Sequence, residues 1–167
     1  VALAIGIYYL RTVVFPERLS PKDLPVPGQA QSVNIFVQQC FDETLEKAVD
    51  LLGRQGGYID LPEDPINVGT FTNYLTLFGD SKVIYWYYKA DNNIDFIQVP
   101  TIPSMEQELS TYITNHLMTC LGSFNEYDGF TVTKGRITTE TDISHDHLVS
   151  RLVFPLKITK GDFTFTF

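Results

Sequence analysis

Residues Ser32 to Leu52 read SVNIFVQQCFDETLEKAVDLL, and GRQGGYIDLPEDP follows at once over 53–65. Wound at the helical period, Val33, Val37, Cys40, Phe41, Thr44, Leu45, Ala48, Val49, Leu51 and Leu52 fall in one apolar sector. Gln39, Asp42, Glu43, Glu46, Lys47, Asp50 and Arg54 fall opposite, which is the pattern of a half-buried helix with a solvated back. Asn34, Ile35, Phe36 and Gln38 break the pattern and place the helix start a few residues after Val33. Gly53 and then Gly56-Gly57 end it, because glycine accepts the left-handed backbone a helix terminus needs. A phosphate cradle is excluded here: such a loop follows a strand and opens a helix, whereas these glycines follow a helix. Tyr58-Ile59 reads as the start of a strand that Pro62 and Pro65 close.

Working outward, Asn67 to Phe78 is ambiguous, with turn chemistry at Gly69 and Gly79-Asp80. Val83 to Lys89, VIYWYYK, is one strongly strand-forming run. Ala90 to Asn93 turns the chain, and Ile94 to Val99 returns as a second strand. A second helix follows Pro103, with Ser104 as N-cap and Gln107 completing a capping box. Met105, Leu109, Tyr112, Ile113, His116, Leu117 and Cys120 share its apolar face, and Gly122 ends it. From Gly129 the period changes to two. Phe130-Val132, Ile137-Ile143, Leu148-Thr159 and Phe163-Phe167 read as strands, joined by turns at Lys134-Gly135, Ser144-Asp146 and Lys160-Gly161-Asp162. Pro155 implies a bulge or an edge in the third of them. The expected fold is therefore α+β: two amphipathic helices packed on an antiparallel β-meander.

The domain organisation has three parts. Residues 1–15, VALAIGIYYLRTVVF, carry a single charge, Arg11. Three readings are open for them: the outer end of a transmembrane anchor, a buried core helix, or a strand donated to a neighbouring subunit. Val1, Leu3, Ile5, Ile7, Leu10, Val13, Val14 and Phe15 would make the anchor or subunit contact. Residues 16–30, with Pro16, Pro21, Pro25 and Pro27, form an extended tether. Residues 31–167 form the folded domain. An initial valine and an alternating strand that stops on Phe167 suggest a chain that is trimmed, or that pairs with another chain at its end.

Composition narrows the function. The chain is 44% apolar and 19% charged over 167 residues, which suits one folded domain with an appendage. A net charge of −8 with only 12 basic residues argues against nucleic acid. Nine Tyr, twelve Phe and one Trp are better explained by a sheet core than by base stacking.

The candidate chemistry is sparse. Asp142, His145, Asp146 and His147 form the densest ligand-type cluster, with Glu140 nearby, yet they sit where a polar hairpin turn is expected. His116 reads as a buried, hydrogen-bonded histidine on a helix face. A metal-dependent hydrolase built on His116, His145 and His147 is the third functional reading. No Gly-x-Ser-x-Gly elbow, phosphate loop, dinucleotide fingerprint, His-Glu-x-x-His or glycosylation sequon occurs, and no cofactor is expected. Cys40 and Cys120 lie on or beside apolar helix faces. They are either two buried thiols or, in an extracytoplasmic domain, one bridge stapling helix to helix. Two isolated cysteines do not suit structural zinc.

VQQCFDETLEKAVDLLGRQGGYI, PSMEQELSTYITNHLMTCL and FTVTKGRITTETDISHDHLVSRLVFPLKI together resemble a family of membrane-anchored surface proteins of small-genomed archaea. Those proteins look like single-span chains with a short N-terminal hydrophobic segment and a Cys-bearing helix before Leu-Gly-x-Gln-Gly-Gly-Tyr-Ile. A second helix ending in Cys-Leu and a β-meander follow. The resemblance covers about Val37 to Ile158 and departs at both ends. It implies an extracytoplasmic domain on an N-terminal anchor and a bridge between Cys40 and Cys120, and it implies no activity. The expected function is a non-enzymatic, membrane-anchored surface domain for protein–protein interaction or assembly. Its expected partners are membrane lipid or neighbouring copies through the N-terminal segment, and other surface proteins. The second reading is a subunit of an extracellular filament, pilus-like or donor-strand, with residues 1–15 packed into its neighbours.

Overall fold

The computed structural model describes residues 31–63, 72–77, 81–89, 93–122, 124, 131–161 and 163–166. The expectations for the anchor at 1–15, the tether at 16–30, Pro65, Gly69, Gly79-Asp80, Ala90 to Asn92, Phe130, Asp162 and Phe167 lie outside them.

The first helix, α1, runs Gln31–Arg54 and buries Val33, Val37, Cys40, Thr44, Ala48 and Leu52. It starts earlier than the sequence suggests. Val33 is wholly buried, so its core contact holds a turn whose Asn34 and Ile35 look out of pattern. The glycines end it as expected, through a closed motif: Gly57 N–H donates to the Leu52 carbonyl (2.8 Å) and Gly56 N–H to that of Gly53 (3.4 Å). Gly56 and Gly57 have positive φ, 74° and 94°. A Cβ on Gly57 would stand 2.5 Å from Pro100 Cγ, so this turn also admits the approach of the chain before the second helix.

That helix, α2, spans Ile102–Leu121 and buries Leu109, Ile113, Leu117 and Leu121. Its N-cap is Thr101, whose side chain accepts from Ser104 N–H, rather than Ser104. Pro103 is the reason: proline fits the first turn, where its missing N–H is no loss, so the helix begins before it. The two helices pack antiparallel, tied at one end by the Cys40–Cys120 disulfide and at the other by Glu108.

Tyr58-Ile59 forms no strand. The N–H groups of Ile59 and Asp60 both donate to Glu108 Oε2 on α2, so the backbone donors a strand would offer a neighbour are already taken. Gln55 closes the loop by donating to the carbonyls of Tyr58 (3.1 Å) and Ile59 (2.8 Å).

VIYWYYK is not one strand but two. Here β1 (Tyr74–Thr76) pairs antiparallel with β2 (Lys82–Ile84), and β3 (Tyr87–Lys89) pairs with β4 (Asp95–Ile97). The break falls at Tyr85-Trp86. Tyr85 N–H donates back to Asn73, while the Trp86 carbonyl accepts from Gln98 on the other side, so the run changes partner in mid-course.

The C-terminal part is antiparallel throughout. β5 (Thr131–Lys134) pairs with β8 (Leu156–Lys160), β6 (Thr138–Ile143) with β7 (Leu148–Val153), and β8 with β9 (Phe163–Thr166). Lys134-Gly135 is not a hairpin turn. Between Lys134↔Leu156 and Thr138↔Val153, three residues on one side oppose two on the other, the signature of a β-bulge. Pro155 faces this point, as its place in the sequence requires. It offers no N–H, and its carbonyl accepts from Gly135 (2.7 Å). Residues 131–160 thus form one long bulged hairpin, with β9 added beside it.

The core has two clusters that share Phe41. One gathers Val33, Val37, Cys40, Leu117, Leu121, Phe154, Leu156 and Ile158 between the helices and the bulged hairpin. The other holds Ala48, Leu52, Ile59, Leu109 and Ile113 at the Glu108 end.

Candidate functional site

The long apolar run at 83–89 does not go into the core. Ile84 and Tyr88 are buried, but Tyr85, Trp86 and Tyr87 are exposed, and Trp86 shows 52% and Tyr87 59% of its surface. The returning strand does the same. Ile94 and Val99 are exposed, and Ile97 is 77% exposed. These are the largest exposed side chains of a segment expected to fill a sheet core, so that expectation fails for Trp86 and Tyr87. The physical reason is the two-stranded pairing. With Tyr88 stacked on Phe96 against the domain (centroids 5.0 Å, interplanar 9°), alternation turns Tyr87 and Ile97 outward.

Tyr87 lies directly opposite Ile97 in the ladder, and Lys89 directly opposite Asp95. All four are on the exposed face of the β3–β4 pair. The Tyr87 hydroxyl donates to Asp95 Oδ1 (2.9 Å). That hydrogen bond, with the carboxylate charge behind it, raises the Tyr87 phenol above its usual range. Trp86 is tethered at one edge. Its indole N–H donates to the Gly56 carbonyl (2.8 Å), so the polar edge of the ring is satisfied by the α1 terminus while half of its surface faces solvent. The α1–Gly56 turn therefore positions this face as well as ending the helix. Tyr58, two residues after Gly56, donates to the Gln98 carbonyl (3.0 Å). Its phenol is also raised, first by burial and then by the nearby Glu108 carboxylate.

The residues singled out from sequence are placed as follows. Cys40 and Cys120 are bonded, with Cα atoms 5.6 Å apart, and they are the pair the resemblance implies. Cys40 is buried and Cys120 is exposed, so the bridge spans from core to surface. Ser144 to His147 form the tip of the β6–β7 hairpin, where Ser144 N–H donates to the His147 carbonyl (2.9 Å). His145, Asp146 and His147 are all exposed. His147 Nδ1 lies 2.6 Å from Asp146 Oδ1, and this hydrogen bond holds the Asp146 carboxyl below its usual range. His116 is exposed, not part of the apolar face; its ring stacks on Tyr112 (3.9 Å) and contacts the Tyr112 carbonyl through Nδ1 (2.8 Å). The hairpin tip is moored to α2 at Glu106, which accepts from Ile143 N–H (2.8 Å). Ten residues of helix, about 15 Å, separate that point from His116, so the three histidines do not converge. Among the described residues no group of three or more His, Cys, Asp or Glu side chains is placed to hold a metal ion. Val1 to Phe15 lie outside the described residues, and no helix among those described is long and apolar enough to cross a membrane.

Comparison with family models, with curated proteins and with solved structures finds no match to this chain. The β3–β4 face offers aromatic and branched apolar surface beside Lys89 and Asp95.

Proposed function

We propose that the chain is a non-enzymatic binding or assembly domain displayed outside the cytoplasm, carried on its N-terminal hydrophobic segment through the proline-rich tether. The observation that carries this reading is the β3–β4 face with Tyr87, Ile97 and Val99 in solvent, and Trp86 exposed just before β3. Aromatic and large apolar side chains at a surface are what protein interfaces use as anchors, and a face of this kind is otherwise a liability. The disulfide supports the compartment, since such bonds persist in oxidising surroundings. A photo-crosslinking residue at Ile97, with a control at exposed Glu43 on the α1 back, tests the reading in cells that make the protein. Protein adducts at position 97 and not at 43 are expected; no adduct at 97 overturns it.

The filament reading draws on β9, which among the described residues has a partner strand on one side only. Electron microscopy of native material, untreated and detergent-extracted, separates the two. Filaments that survive detergent favour packing of residues 1–15 in protein, and particles released only by detergent favour a lipid anchor.

A further inference from the structure

We propose that the occupant of the β3–β4 face is a second copy of this chain, related by a two-fold axis that runs parallel to the strands, above the line midway between β3 and β4. The second copy presupposes the binding-domain reading and names its partner.

In the ladder, Tyr87 and Ile97 stand at one level of the pair, Lys89 and Asp95 at another. A two-fold axis parallel to the strands and midway between them lays β3 of one copy over β4 of the other without changing level. Each side chain then meets the copy of its own cross-strand neighbour: Tyr87 meets Ile97 of the partner copy, and Lys89 meets Asp95 of the partner copy. The apolar pair therefore lies on an apolar pair, and both charges find opposite charges, twice over. Such a contact is closed and self-complementary.

Charge selects this partner over others. Among the described residues no carboxylate forms an ion pair with Lys89. A partner of uniform sign would match one of Lys89 and Asp95 and oppose the other. Only a surface carrying both signs in reversed order satisfies the two, and the rotated copy supplies it. The net charge of −8 does not forbid the contact. Charges more than about 8 Å apart are screened at physiological salt, so the balance at the face decides. Tyr87, Ile97 and Val99, each more than half exposed, give the rotated copy an apolar centre to meet.

The test uses the full 167-residue chain, in sedimentation velocity over a concentration series. The expected result is a monomer–dimer equilibrium. Lys89→Asp and Asp95→Lys, both at exposed positions, each weaken association at least tenfold, because like charges then face each other twice. An equimolar mixture of the two variants regains wild-type affinity, since the two acids on the chain carrying Lys89→Asp meet the two lysines on the chain carrying Asp95→Lys. A variant that simply misfolded would not be rescued by mixing, and association through residues 1–15 would not respond to either swap. Two results each overturn the proposal: a monomer throughout, or a dimer neither swap weakens. If the protein is monomeric while position 97 crosslinks to a different protein, the second copy is refuted and the binding-domain reading stands. No adduct at all removes both.

Discussion

Replacing both bridge cysteines, Cys40→Ala with Cys120→Ala, removes the tie at one end of the helix pair. The bond closes a separation of 80 residues. Chain entropy assigns about 4.5 kcal/mol at 25 °C to a loop of that length. Two structural facts set where the measured value falls. Cys40 is 1% exposed, so its truncation also empties a little core volume and adds to the loss. Against this, structure left in the unfolded chain reduces the entropic gain, and measured bridges commonly give about 2–4 kcal/mol. The expected loss is therefore about 3–4 kcal/mol, or roughly 6–16 °C in Tm for a chain of this size. Urea unfolding of the oxidised wild type, the reduced wild type and the double variant measures it, with thiol labelling in denaturant fixing the redox state of each. Glu108 still holds the far ends of the helices together, so the double variant should fold and unfold at lower urea with a larger m-value, its unfolded chain being more open. A double variant within about 0.5 kcal/mol of oxidised wild type would refute the reasoning, as would two free thiols in the native protein.

Other consequences follow from particular side chains. Glu108→Gln weakens charge-assisted acceptance from two backbone N–H groups and should cost about 1.5–3 kcal/mol in urea unfolding; the Tyr58 phenol, followed by carbon NMR of labelled tyrosine, should titrate lower than in wild type yet stay above its usual range because burial persists. Tyr58 and Tyr87 have raised folded-state values, so what they contribute is present below pH ~10, the unfolded phenol's range, and is lost as pH rises through the folded values; chemical denaturation at pH 9 and above should show that fall, diminished in Asp95→Asn. Gly57→Ala combines φ 94° with a Cβ 2.5 Å from Pro100 Cγ and should lose at least about 2 kcal/mol, whereas Gly53→Ala, helical with open space around it, should gain about 0.5 kcal/mol. His147→Ala should return the Asp146 carboxyl toward its usual range by NMR titration; because that group is lowered, its contribution is present above pH ~4 and is lost as pH falls through the folded value.

Local chemistry alone was enough for both helices, the glycine terminator, the hairpin tip at Ser144 to His147 and the bulge or edge that Pro155 implies. Each of these follows from a period or a backbone rule that acts within a few residues. The apolar positions at Val37, Cys40, Thr44, Ala48 and Leu52 repeat at three and four, and a proline cannot donate to a ladder wherever the chain goes. The same rules misplaced the cap, because Thr101 and Ser104 both fit it and the helix starts early enough to place Pro103 in its first turn.

Tertiary structure decided where residues far apart in the chain meet. That Cys40 meets Cys120 depends on two helices crossing at that level, which neither helix encodes by itself. Tyr58-Ile59 has strand composition, but Glu108, about fifty residues later, takes the N–H groups a neighbouring strand would need. VIYWYYK is apolar enough for a buried strand. Its pairing with β1 on one side and β4 on the other splits it at Trp86 and turns Tyr87 and Ile97 out to solvent. Alternation in sequence says that successive side chains face opposite ways; it does not say which way is out. Only the layer that covers one face settles that, and here Tyr88 and Phe96 are the covered pair. The candidate site therefore lay in plain view as composition and became visible as a surface only once the chain had folded.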